Sequence, residues 1–255
     1  MSQPLAITPE RDGALLHLKL NRPKANIVDA AMIAALDAAL AAEADKPGLK
    51  AVLLSAEGPH FSFGASVEEH LPDQCAEMLK SLHGLIKRML EYPVPVLVAI
   101  QGQCLGGGLE VAAAGHILFA APTASLGQPE MALGVFAPAA SCLLPERIGQ
   151  GRADDLLYSG SSVKGDAAFK MGLVDHLADD PEAAALAWFD QHIAAKSGSS
   201  LRFAVRAARA EYIARMTAKI DRVEALYLNQ LMKTRDAVEG LEAFLAKRPA
   251  KWENT

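Results

Sequence analysis

Gly102-Gln103-Cys104-Leu105-Gly106-Gly107-Gly108-Leu109-Glu110 follows an apolar run from Val94 to Ile100 and leads into residues of helical character up to Ala114. A strand that runs into three consecutive glycines and then a helix is costly, because glycine lowers helix propensity and loses the most backbone freedom on ordering. Two readings accept that cost. In one, the helix packs tightly on the strand. In the other, a ligand approaches bare backbone N–H groups at the helix start, where the dipole favours negative charge. No Lys-Ser/Thr pair follows, so the segment is not a P-loop, and it does not spell G-x-G-x-x-G.

Outward from this segment the chain alternates. Leu16, Leu18 and Leu20 alternate with His17 and Lys19, the pattern of a half-buried strand ended by Asn21-Arg22-Pro23. Asp29 is a candidate cap for a helix over 30–43, with Met32, Ile33, Leu36 and Leu40 on one face. Strands are expected at 51–54, 94–100 and 117–121, and a helix over 74–92 stopped by Pro93. This alternation predicts an α/β layered fold with parallel pairing. The last third differs: helices are expected over 181–195 and 201–247, joined by a hinge, Lys196-Ser197-Gly198-Ser199-Ser200. The chain is therefore divided into a core, 1–195, and a helical region, 196–255.

Composition narrows the function. The chain has 255 residues, 51% of them hydrophobic, enough for a substantial core. Its net charge of -5 argues against a protein that wraps nucleic acid; an anionic ligand needs a local basic patch. Met1-Ser2-Gln3-Pro4-Leu5-Ala6 lacks the basic and apolar regions of a signal peptide, and no apolar run approaches a membrane span. Three widely spaced cysteines, with no C-x-x-C, predict neither a disulfide framework nor a zinc knuckle and suit a reducing cytoplasm. Cys104 and Cys142 read as packing residues. No H-E-x-x-H or G-x-S-x-G occurs, so metalloprotease and serine-hydrolase chemistry have no foothold, and no metal is expected. Glu68-Glu69-His70 reads as a solvated helix turn.

Glu110 and Glu130 are the candidate acid–base pair, one just past the glycines and the other in Gly127-Gln128-Pro129-Glu130-Met131. Ordinary surface positions remain open for both. In His60-Phe61-Ser62-Phe63-Gly64-Ala65-Ser66, Gly64 can free the Ala65 N–H and Ser66 can cap a following helix. Phe61 and Phe63 either cover a ligand or plug the core, with at least one in the core. Lys247, Arg248 and Lys251 form a basic cluster at a helix end.

Phe63-Gly64-Ala65, Gly102 with Gly106-Gly107-Gly108-Leu109-Glu110, and Gly127-Gln128-Pro129-Glu130 together resemble the crotonase, or enoyl-CoA hydratase/isomerase, family. The resemblance covers essentially the whole chain. It implies a spiral of repeated ββα units, with a C-terminal helical region that mediates assembly as a homotrimer or a hexamer of two trimers. It implies an acyl-CoA thioester substrate and no separate cofactor. The Ala65 and Gly107 N–H groups would form an oxyanion hole, and Lys24, Phe63, Ala65, Val67, Phe244 and Lys247 would contact CoA, Phe244 and Lys247 on a neighbouring subunit. Keeping both Glu110 and Glu130 implies addition or elimination of water. Some relatives bind RNA, which the net charge disfavours.

The chain also departs from the family pattern. Phe136-Ala137-Pro138-Ala139-Ala140-Ser141-Cys142 replaces the usual glycine-rich stretch, so Phe136, Ala137, Pro138 and Ala139 are expected to shape and stiffen the acyl pocket. Ser66 and Glu68 replace the usual acidic and basic residues. With Asn26-Ile27-Val28-Asp29-Ala30-Ala31-Met32, these departures resemble the branch of the family that hydrates a cyclic dienoyl-CoA in anaerobic aromatic degradation. Hydration of a linear enoyl-CoA is the alternative.

Overall fold

The computed structural model describes residues 3–255. In chain order its elements are β1 (Leu5–Glu10), β2 (Leu15–Leu20), α1 (Ala30–Glu43), β3 (Ala51–Ala56), α2 (Cys75–Leu90), β4 (Val96–Ile100), β5 (Gln103–Leu105), α3 (Gly107–Ala114), β6 (Ile117–Ala120) and β7 (Ser125–Gly127). There follow α4 (Pro138–Ile148), α5 (Gln150–Ser159), β8 (Ser162–Lys164), α6 (Gly165–Met171), β9 (His176–Leu177), α7 (Pro181–His192), α8 (Gly198–Asn229) and α9 (Arg235–Leu245).

A six-stranded sheet has the order β1-β2-β3-β4-β6-β9, parallel except for the β1–β2 pair. A second sheet, β5-β7-β8, pairs β5 with β7 in parallel. After β4 the chain leaves the large sheet, steps into the small sheet through β5, and turns into α3. That ββα passage is the segment around the three glycines. Single bridges, Val28 to Ala65 and Ser62 to Cys104, tie the intervening loops to it.

Strand alternation sends Leu16, Leu18, Val52, Leu54, Val96 and Val98 to the main core. Leu15, Leu53, Leu97 and Phe119 point the other way, onto Ala185, Phe189 and Ile193 at α7. Both faces are covered, which is why β4 is a continuous apolar run and β3 is apolar but for Ser55, whose hydroxyl meets His17. Covering also corrects the half-buried reading of β2. His17 is buried under α7, and its ring nitrogens meet Glu10 and Ser55 at 2.8 Å each.

Local signals place α1 well. Asp29 accepts the Met32 N–H at 2.9 Å, and Asp29→Ala is expected to cost about 1 kcal/mol in urea unfolding. The expected hinge is instead a helix start, because Ser197 caps α8 and Gly198-Ser199-Ser200 lie within it. The single helix expected over 201–247 is two. A short turn at Leu231–Lys233 breaks it, and Thr234 caps α9 through the Ala237 N–H. This break folds α9 back: a Cβ at Gly240 would come within 2.1 Å of the Leu133 carbonyl. Among the described residues, no helix is long and apolar enough to cross a membrane.

Candidate active site

Each of the three glycines has its own contact. A Cβ at Gly108 would overlap the Ser62 side chain at 2.6 Å, so this glycine serves helix packing. Gly106 has φ +51, and a Cβ there would lie 2.8 Å from Glu130 Oε1. A Cβ at Gly107 would lie 3.1 Å from the Ala65 nitrogen. Gly106 and Gly107 therefore clear space at a cavity, whereas Gly108 answers the packing reading.

Gly64, at φ +110, turns the opposite loop toward Gly107, its N–H donating to Ser62 Oγ at 3.0 Å and its carbonyl accepting from Val28 at 2.9 Å. Among the described residues, neither the Ala65 nor the Gly107 N–H has a partner within the protein. Both residues line a cavity of about 440 Å³. Phe61 is in the core and Phe63 is 43% exposed at the cavity wall, so the two aromatics divide the roles left open in the sequence.

Glu110 is buried at 3% exposure on α3, and Oε1 accepts the Ala140 N–H at 2.9 Å. Ala140 lies in the first turn of α4, whose dipole favours the anion. Burial raises the Glu110 pKa, while the Ala140 bond and the charge of His83 oppose the rise. Glu130 sits in a short helical turn, Pro129–Leu133, closed by Gly134 at φ +70. Burial first, then the charge of Glu110, pushes its carboxyl up to about 8. Both carboxyls line the same cavity. The proton of such a pair settles on Glu130, because Glu110 alone has the helix terminus and His83 behind it.

Two further residues line this cavity, His70 and Arg248, and a third, Gln128, lies against Glu130; the sequence reading gave none of them a part in the site. Buried Gln128 faces Glu130: with its NH2 turned to the carboxyl it donates at 2.9 and 3.0 Å, and with its oxygen turned there it accepts from the protonated acid. Its place two residues before Glu130 was the available signal. His70 lines the wall and meets the Ser66 carbonyl at 2.7 Å, and burial lowers its pKa. Glu69 bonds the Ala30 N–H at the start of α1, so Glu68-Glu69-His70 is not the solvated turn expected. Ser66 Oγ reaches the Glu69 N–H only at 3.4 Å, on a three-residue turn. Arg248, paired with Glu239 at 2.6 and 2.8 Å, is the basic group at the cavity.

Ala65, Phe63 and Val67 line the cavity, and so does Phe244, which was expected at the CoA of a neighbouring subunit. Lys24, exposed after β2, and Lys247, exposed past α9, do not reach this chain's own wall. Phe136 and Pro138 line the cavity, whereas Ala137 and Ala139 turn into the core and do not. The residues leading into α4 alternate between cavity and core, which the sequence run could not reveal. Cys104 and Cys142 are buried, free and outside the cavity wall. Among the described residues no cluster of three metal-ligating side chains occurs.

Residues 10–255 match the family described as Enoyl-CoA hydratase/isomerase. The chain belongs to this family. It is 68% identical over 253 residues to the cyclohexa-1,5-dienecarbonyl-CoA hydratase of Thauera aromatica, covering 99% of this chain and 98% of that one. It is 32% identical to the crotonyl-CoA hydratase of Syntrophomonas wolfei, covering 95% and 96%. Its fold matches the crystal structure of an enoyl-CoA hydratase/isomerase from Pseudoalteromonas atlantica with a TM-score of 0.84, at 25% identity and 98% and 99% coverage. Within this enoyl-CoA hydratase/isomerase fold, the glycine passage between the two sheets and the Glu130 turn meet at one cavity.

Proposed function

We propose that this protein is a hydro-lyase that reversibly adds water to cyclohexa-1,5-diene-1-carbonyl-CoA, giving 6-hydroxycyclohex-1-ene-1-carbonyl-CoA. The observation that carries the reading is the pairing of two carboxyls of opposed environment, Glu110 and Glu130, with two free N–H groups on one cavity. The 68% identity to the Thauera aromatica hydratase supports the substrate.

Glu110, the ionised member, takes a proton from water, and the oxygen bonds to the ring carbon β to the thioester. Electron density moves onto the thioester oxygen, held by the Ala65 and Gly107 N–H groups. Preorganised donors stabilise that developing charge more than the ground-state carbonyl. The dienolate then takes the Glu130 proton at its far end, so the addition is 1,4. Gln128 orients the Glu130 carboxyl in both protonation states. Phe136 and Pro138 bound the ring, and Phe63, Val67, Phe244 and Arg248 take the CoA portion, a reading supported by their lining the same cavity. The proposal includes no metal or separate cofactor, and assembly of this chain as a homotrimer or hexamer.

Two outcomes follow from these assignments. Gln128→Leu is expected to lower kcat about 10- to 100-fold with KM little changed, the worth of a hydrogen bond to a charged group. The hydration rate should follow a bell-shaped pH profile. It falls as pH rises through the Glu130 value of about 8, because the acid loses its proton, and falls on the acid side as Glu110 becomes protonated.

The deciding experiment offers purified protein cyclohexa-1,5-diene-1-carbonyl-CoA or crotonyl-CoA and separates products by chromatography and mass. Preference for the cyclic diene, with the mass of one water gained, supports the proposal. Preference for crotonyl-CoA retires the cyclic substrate and leaves a linear enoyl-CoA hydratase.

A further inference from the structure

Ser62 is fully buried where the loop that carries Ala65 runs beside β5, the strand that leads to Gly107. Its main chain is bonded to that strand on both sides. Its N–H donates to the Gln103 carbonyl at 3.0 Å, and its carbonyl accepts the Leu105 N–H at 3.0 Å. Its hydroxyl oxygen accepts the Gly64 N–H, also at 3.0 Å. The same side chain fills the space over Gly108, where an added Cβ would lie 2.7 Å from Ser62 Oγ. One short side chain thus stands between the two pieces of backbone that present N–H groups to the cavity.

The other edge of the loop is held by main-chain bonds. The Phe63 N–H donates to the Ala25 carbonyl, and the Gly64 carbonyl accepts the Val28 N–H, each at 2.9 Å. The Gly64 N–H is left to the Ser62 hydroxyl. An alanine would pack against Gly108 equally well, so the oxygen answers to Gly64 rather than to packing. Gly64 itself lines the cavity, and a buried N–H deprived of its acceptor turns toward another. The acceptor on that side is the thioester oxygen or a water. Turning the Gly64 N–H also turns the next peptide, whose N–H belongs to Ala65, because the chain can rotate only about the bonds flanking each Cα. We infer that Ser62 is a positioning residue of the proposed oxyanion hole. Its hydroxyl holds the Gly64 N–H out of the cavity and so fixes the Ala65 N–H against that of Gly107.

The inference rests on the hydratase reading, and the thioester carbonyl tests the two apart. Donors in an oxyanion hole weaken the carbonyl bond they hold, so its infrared band, marked with carbon-13, moves to lower frequency on binding. Wild type in excess over the thioester it hydrates, the cyclic diene or crotonyl-CoA, should show that shift. In Ser62→Ala the shift should be smaller, with kcat about tenfold lower and KM within about twofold of wild type. Ser55→Ala is the control, because it removes a buried serine hydroxyl that meets His17 at 2.8 Å away from the cavity wall. It should lower the thermal midpoint about as Ser62→Ala does, and leave the band and kcat at wild-type values. A full shift and wild-type kcat in Ser62→Ala overturn the inference and leave the oxyanion hole standing. Equal loss of kcat in the two serine variants also overturns it, since loosening of the core then suffices. An unmoved band in wild type removes the oxyanion hole, and the part of Ser62 with it.

Discussion

Glu110→Gln and Glu130→Gln should each lower hydration about 10³-fold while leaving acyl-CoA binding within the wild-type range. Gln keeps the shape of each side chain but can neither accept the proton of water nor donate one to the dienolate. The proposed binding surface is formed by other residues that line the cavity, including Phe63, Val67, Phe244 and the two N–H groups, so the loss belongs in kcat rather than KM. The variants should also differ from each other. In Glu110→Gln the charge that raises Glu130 is gone, so the Glu130 pKa moves back toward that of an ordinary carboxyl. The residual activity of this variant should therefore begin to fall at lower pH than in wild type. Initial rates across pH, with calorimetric binding of the product thioester, check both statements. Full activity in either variant would remove that glutamate from the mechanism.

Gly107→Ala should be the second large effect. The added methyl would lie 3.0 Å from Ala65 Cβ and 3.1 Å from its nitrogen, so the two loops must part by a few tenths of an ångström. Those loops carry the two N–H groups, and the thioester oxygen must reach both at once. Removing an oxyanion donor costs about 10² to 10³ in kcat, and displacing one should cost about 10- to 100-fold. Gly84→Ala is the control: it lies in α2 with open space at its Cβ, and should leave kcat intact and stabilise the fold by up to about 1 kcal/mol. Similar kcat losses in both variants would point to a general loosening and against the oxyanion assignment.

How far the sequence could be read depended on how local each signal was. The bounds of α1 and its Asp29 cap were legible because a cap and a helical stripe involve neighbours in the chain. The glycine passage and the two glutamates were legible because a motif keeps its meaning at fixed spacing, and the family resemblance rested on the same residues. The break between α8 and α9 was not legible: the apolar pattern continues through it, and the fold-back depends on Gly240 closing on Leu133. The hinge expected around Ser197 failed for a related reason, since serines and glycine mark linkers and helix caps alike.

By itself, then, the sequence determined the layered α/β class, the strand–glycine–helix passage, and the two candidate carboxyls, Glu110 and Glu130. All of these follow from periodicity, backbone freedom and residue chemistry along a short stretch of chain. Tertiary structure alone decided that His17 is covered, that Phe63 rather than Phe61 meets the cavity, and that Arg248 rather than Lys24 or Lys247 stands at its wall. It also decided that Gln128 grips Glu130, that Ala140 braces Glu110, and that Ser62 stands between Gly64 and Gly108. Burial, charge coupling and hydrogen bonding act between residues far apart in the chain. They set the two glutamates apart only once the fold has buried Glu110 and brought Glu130 to the same cavity.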